Sequence, residues 1–108
     1  MFARILDFEI KLEKKEEFVK VVKAEVLPIL KKQIGFLEIL PFIPQTMKEE
    51  KFFTISLWAR KEDAEKYERD VYPRVNEILK PFLLTPINVK PYMLETRLCE
   101  HFVETLAA

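Results

Sequence analysis

The apolar spacing of this chain switches between two periods, and the order of the switches limits the folds open to it. From residue 2 to 11 the period is two. Phe2, Arg4, Leu6, Phe8 and Ile10 share one face, and Ala3, Ile5, Asp7 and Glu9 share the other. A helical period follows in Phe18, Val21, Val22, Leu27, Ile29 and Leu30. Glu13, Glu16 and Glu17 precede that stripe and Lys31 and Lys32 close it, the charges that suit the two ends of a helix. Pro28 lies inside and removes the hydrogen bond to the carbonyl of Ala24, which predicts a bend. Gly35 is the natural stop.

Period two returns in "FLEILPFI", residues 36–43, where Pro41 predicts an edge strand or a bulge. "PQTMKEEK" reads as a turn. Residues 51–59 form a third strand, with Phe53, Ile55 and Leu57 opposite Phe52, Thr54, Ser56 and Trp58. A second helix starts near residue 61, with Glu62 and Asp63 in its first turn, and runs to about residue 79. Ala64, Tyr67, Val71, Val75, Ile78, Leu79 and Phe82 point inward along it. Glu62–Lys66, Glu65–Arg69 and Asp70–Arg74 are spaced for ion pairs on its outer side. Pro73 cannot donate to the carbonyl of Arg69 and disfavours helical angles at Tyr72. The helix is therefore expected to break at Tyr72 and restart with Pro73 in first position. A fourth strand is expected over 89–98, interrupted by Pro91, with a tail from Cys99 as a short strand or helical turn. The order β-α-β-β-α-β predicts an α+β, ferredoxin-like domain over residues 1–108. Its antiparallel sheet carries both helices on one face.

Two helices leave the other sheet face uncovered, and no assignment makes that face polar. It carries Phe2, Leu6 and Phe8 or Ala3 and Ile5 from strand one. Strand three adds Phe53, Ile55 and Leu57 or Phe52 and Trp58. A patch of this kind marks an interface, so a homodimer is expected, with a cavity where the two faces do not fully meet. Charge narrows the partners further. The 18 basic and 18 acidic side chains cancel, which counts against a sequence-independent grip on nucleic acid. No run approaches the roughly 20 apolar residues of a membrane span. Charge at Arg4, Asp7 and Glu9 comes too early for a signal peptide. Cys99 is the sole cysteine and excludes an intrachain disulfide, in keeping with a reducing compartment. A cytoplasmic location is expected.

Three stretches resemble a known family: "GFLEI" after the first helix, "FTISLWARKEDAEKYERDVYPRVNEILKPFL", and "VKPYMLETRLCEHF". They are similar to small bacterial members of the antibiotic biosynthesis monooxygenase superfamily in four features. These are a strand ending in Trp or Phe, an "EDAE–Y" helix, a "YP" break, and "LKPFL". The resemblance spans almost the whole chain. It implies a dimeric α/β barrel of two ferredoxin-like sheets, and oxidation of a small aromatic or quinol without flavin, metal or other cofactor. In such enzymes the substrate's own anion activates oxygen, and the protein supplies a dry pocket, hydrogen-bond donors and sometimes a base. Haem-degrading members instead carry an Asn on strand one and a Trp and a His on helix two. Here strand one has no Asn, Tyr67 stands near the Trp position, and no His occurs before His101. A haem enzyme is not expected.

Five residues are candidates for the chemistry. Trp58, with Thr54 and Ser56, could orient a planar ligand, or could close the core against a helix. Glu38 interrupts Phe36, Leu40 and Phe42. It reads either as a base on an apolar face or as an edge-strand carboxylate paired with a partner chain. Arg4 interrupts Phe2, Leu6 and Phe8. It could hold an anionic substrate oxygen, or pair with Glu38 or Glu95. Tyr72, at the helix break, could aim its hydroxyl into a cavity or at an unpaired carbonyl. His101 is the only histidine and titrates near neutrality; it reads as a ligand contact or a dimer contact. Cys99 and His101 are too few for a metal site. The chain's single Gly leaves no phosphate loop.

Overall fold

A computed structural model of the chain describes residues 1–45 and 51–99. Strand β1 (Phe2–Glu9) is followed by a short 3-10 turn and helix α1 (Lys15–Val21). A π-turn over Val22–Val26 leads into α2 (Leu27–Lys31), and then come β2 (Phe36–Phe42) and β3 (Lys51–Trp58). Helices α3 (Lys61–Asp70) and α4 (Tyr72–Leu79) precede β4 (Asn88–Met93). The sheet order is β2-β3-β1-β4 and every neighbouring pair is antiparallel. This is the α+β, ferredoxin-like arrangement, and within one chain the sheet stays open rather than closing into a barrel.

Register decides which face meets the helices. Phe2, Arg4, Leu6 and Phe8 stand opposite Trp58, Ser56, Thr54 and Phe52. Phe2, Arg4, Phe8, Phe52, Ser56 and Trp58 are buried, together with Phe18, Val26 and Leu30 from the first helical hairpin arm and Ala64, Tyr67, Val75 and Leu79 from the second. Two aromatic groups occupy the two ends of this layer. Phe8, Phe18, Phe52 and Phe82 meet at ring separations of 5.8–6.0 Å. At the other end Phe36, Trp58, Tyr67 and Tyr72 run in series at 5.4, 5.0 and 6.1 Å. The opposite sheet face keeps Leu40, Phe42, Phe53 and Tyr92 exposed.

Proline sets the local departures. Pro41 and Pro91 fall on β2 and β4, the two edge strands, where a missing donor costs no ladder bond. In the first helix the conflict at Pro28 is met by the π-turn: the Leu27 N–H donates to the Val22 carbonyl, five residues back. In the second helix the distortion falls one residue earlier than expected. Val71, at φ −123° and ψ −40°, takes the break, while Tyr72 opens α4 and Pro73 follows it. The Val71 N–H still donates to the Tyr67 carbonyl at 2.9 Å.

Two further expectations are corrected and a third is extended. Strand β4 ends at Met93 rather than near residue 98, because its partner β1 runs out at Phe2. Beyond it, the Arg97 side chain and backbone N–H both engage the Glu95 carboxylate in a local turn. The outer side of the second helix pairs differently from the predicted set. Lys61–Glu65 lies at 3.8 Å, Arg60–Asp63 at 3.0 Å and Arg69–Asp70 at 3.0 Å. Gly35, at φ 81°, does more than end a helix: a Cβ there would overlap the Asp63 carboxyl. Its carbonyl accepts the Ala59 N–H at 2.7 Å. The expected turn before β3 lies largely outside the described residues, as does the tail beyond Cys99.

Candidate functional site

Arg4 is a charged residue at a position the sheet reserves for apolar side chains. It projects toward the helices between Phe2 and Leu6 and is 2% exposed. Ser56, its cross-strand neighbour, donates from Oγ to the Arg4 carbonyl at 3.4 Å and accepts the Trp58 indole N–H at 3.0 Å. The Trp58 nitrogen is thereby satisfied inside the core.

The guanidinium reaches under the helix break. Its carbon lies 4.6 Å from the Tyr72 ring centroid and 5.0 Å from that of Tyr67. Cation–π attraction offsets part of the cost of burying the charge, by about 2 kcal/mol where water is excluded. The Glu68 carboxylate approaches Nε at 3.9 Å, close enough for attraction and too far for a hydrogen bond. Nε and Nη2 have no hydrogen-bond partner among the described residues. Two buried donors in that state are rare in folded proteins and ask for an acceptor.

The two phenols beside the guanidinium are proton donors at neutral pH. Burial pushes the Tyr67 hydroxyl up to about 12, against the opposing pull of Arg4. Burial also raises Tyr72, again opposed by Arg4, with Glu68 adding to the rise. The cluster therefore offers one fixed cation and two neutral hydroxyls.

The sequence-predicted candidates separate accordingly. Arg4, Trp58 and Tyr72 come together on the helix side of the sheet. The expected cavity between two sheet faces would not contain them. Glu38 lies on the other face. A register shift between Phe36 and Glu38 sets it in line with Leu40 and Phe42, exposed and across from Leu57. Arg4 therefore pairs with neither expected acid: Glu38 is behind the sheet, Glu95 is engaged by Arg97, and Glu68 is the carboxylate nearby. His101 lies outside the described residues. Tyr67 and Glu68 were not singled out for the site. The signal lay in their position one turn before Tyr72, but it needed the location of the break. At the far end of β1 a cleft of about 450 Å³ is lined by Asp7, Phe8, Glu9, Lys51, Thr85, Pro86 and Asn88. It does not touch the Arg4 cluster.

Among the described residues no helix is long and apolar enough to cross a membrane. No protein-family model matches the chain, and none of the curated proteins matches it. Solved structures do. SnoaB of Streptomyces nogalater, described as a cofactor-independent oxygenase, superposes at a TM-score of 0.71 and 14% identity. The match covers 92% of this chain and 97% of that one. A structure from Nitrosomonas europaea, provisionally described as an antibiotic biosynthesis monooxygenase, gives 0.71 at 14% identity over 87% and 89%. A Streptomyces coelicolor monooxygenase in complex with nanaomycin D gives 0.66 at 14% over 87% and 87%. At these identities the likeness is one of fold, and the fold of this chain is that of the antibiotic biosynthesis monooxygenase structures.

Proposed function

We propose that the chain is a cofactor-independent monooxygenase of the antibiotic biosynthesis monooxygenase superfamily, acting on a small phenolic aromatic or quinol. The observation that carries this reading is the buried Arg4 guanidinium, with two N–H groups unsatisfied among the described residues and an aromatic wall beside it. A fixed cation in a dry site favours the anionic form of an aromatic substrate, and an aromatic anion is the electron donor that oxygen needs. The balance closes without an outside reductant. A phenol loses two hydrogens and gains one oxygen atom to become a quinone, and the second oxygen atom leaves as water. Tyr67 and Tyr72 supply neutral donors. Trp58, wholly buried and braced by Phe36 and Tyr67, backs the cluster instead of stacking on the ligand. Entry is on the side of Tyr72, partly exposed, and Glu68, half exposed.

The active form is a homodimer in this reading. The exposed Phe42, Phe53 and Tyr92 share one sheet face, and a net charge of zero leaves no long-range repulsion between copies. The test is oxygen uptake with a panel of phenols and quinols, with mass spectrometry for the gain of one oxygen atom. Turnover that disappears in Arg4→Lys and persists in Glu38→Gln is the expected result. The same two unmatched donors would serve one other reading, a ligand-binding dimer without turnover. Saturable binding of the same compounds with no oxygen uptake would establish that reading instead.

A further inference from the structure

The donors left over on Arg4 are specific ones. Nε and Nη2 point from the same edge of the guanidinium, the edge that receives both oxygens of a carboxylate side-on. Arg60, Arg69 and Arg97 show this chemistry on the molecule's surface. Each gives the same two nitrogens to one carboxylate, at distances of 2.8–3.4 Å. Arg4 presents the same edge inside the protein, with both donors unmatched among the described residues. The Tyr67 and Tyr72 rings, 6.1 Å apart, are too close together to sandwich the cation. Both rings lie within 5.0 Å of the guanidinium carbon, and Nε and Nη2 keep no hydrogen-bond partner among the described residues.

We infer that this edge of Arg4 is a receptor for the carboxylate of a planar aromatic acid. The inference rests on the reading of the Arg4 cluster as the ligand site, and it adds the substrate class: a phenol or quinol that also carries a carboxylate. A lone phenolate oxygen has to be shared between the two donors. A carboxylate gives each donor an oxygen of its own. Glu68, with its carboxylate 3.9 Å from Nε and its side chain 51% exposed, stands at the mouth as the competing anion that a ligand must exclude.

Calorimetric titration of the whole chain with 2-naphthoate and with its neutral isostere 2-naphthamide tests this. The acid is expected to bind at least tenfold more tightly. Glu68→Gln, a change on an exposed side chain, is expected to tighten the acid severalfold and leave the amide unchanged. Arg4→Lys keeps the charge without the side-on pair of donors and is expected to weaken the acid at least tenfold. If Arg4→Lys does not fold, the Glu68→Gln comparison still decides. Equal binding of acid and amide, binding of neither, or Glu68→Gln leaving the acid's affinity unchanged or lower would each overturn the inference. The last result would mean that Glu68 does not compete with a ligand for Arg4. Neither naphthalene probe carries a phenol to oxidise, so the two readings fail separately. Acid-selective binding with no turnover on any phenol removes the oxygenase and keeps the receptor. Turnover on neutral quinols with no preference for acids does the reverse.

Discussion

Arg4 tests whether a buried charge is there for stability or for a ligand. Removing one member of a buried pair is destabilising when the other is left stranded in the interior. Here the nearest carboxylate, Glu68, is half exposed and regains water freely. Arg4→Met fills much the same volume without a charge. It is expected to be at least as stable as the parent chain in urea unfolding while losing ligand binding. A loss of more than about 2 kcal/mol, the size of a desolvated cation–π contact, would make Arg4 a structural residue. Tyr67 gives the matching prediction in pH. Its hydroxyl ionises near 10 in an unfolded chain and at about 12 in the fold. Below pH 10 both states keep the proton and stability is unaffected. Between 10 and 12 the unfolded chain holds fewer protons, so stability falls with rising pH, by about 3 kcal/mol in all. Tyr72 shifts the same way. Tyr67→Phe is expected to flatten that fall, and absorbance at 295 nm follows the phenolate directly.

At the scale of elements, the break at Val71 builds the site. Residues five apart on an unbroken helix point about 140° away from each other, so Tyr67 and Tyr72 could not both lie over Arg4. With the break they do, 6.1 Å apart. Pro73→Ala restores the donor to the Arg69 carbonyl. It is expected to leave stability within about 1 kcal/mol while moving Tyr72 off the guanidinium, seen as loss of ring-current shift at Arg4 Nε–H. The junction at Gly35 behaves differently. Its positive φ and the Asp63 carboxyl packed against it make Gly35→Ala destabilising by about 1–3 kcal/mol, measurable by thermal unfolding. These elements also show what a sequence can and cannot say. Period two in Phe2–Glu9 and the helical stripe from Ala64 to Leu79 are written in side chains, so strand order and helix faces follow from them. Proline announces that a helix must yield but not where: Pro28 produced a π-turn and Pro73 moved the distortion to Val71. The bulge between Phe36 and Glu38 has no residue of its own to mark it, and one residue of slip carried Glu38 to the far face. Arg4 stood out as a charge among apolar neighbours. Its partners Tyr67 and Glu68 depended on that unmarked break.

At the scale of the whole molecule, the open face of the sheet remains to be covered. A row of apolar side chains crosses it from edge to edge through the paired positions Leu40–Ile55 and Phe42–Phe53 on β2 and β3, with Ile5 on β1 and Tyr92 on β4. Asp7 on β1, across from Phe53, and Lys90 on β4, across from Ile5, form an ion pair at 3.5 Å on the same face. In a two-fold dimer each residue acts twice. Fully burying one Phe side chain is worth about 1.5–3 kcal/mol. Phe53 is 37% exposed in the single chain, so about a third of that gain is left, and placing Lys there removes it from both copies. Phe53→Lys is therefore expected to weaken the dimer by about tenfold or more. The side chain is already exposed in the single chain, so the protomer's fold should persist. Sedimentation equilibrium of the parent and the variant decides: a parent chain that stays monomeric at micromolar concentration would mean that the face serves another partner or none. The Arg4 cluster lies on the helix side of the sheet, away from that face. A monomeric Phe53→Lys variant that still binds 2-naphthoate would show that each protomer carries a complete ligand site, and that dimerisation serves only to cover the sheet.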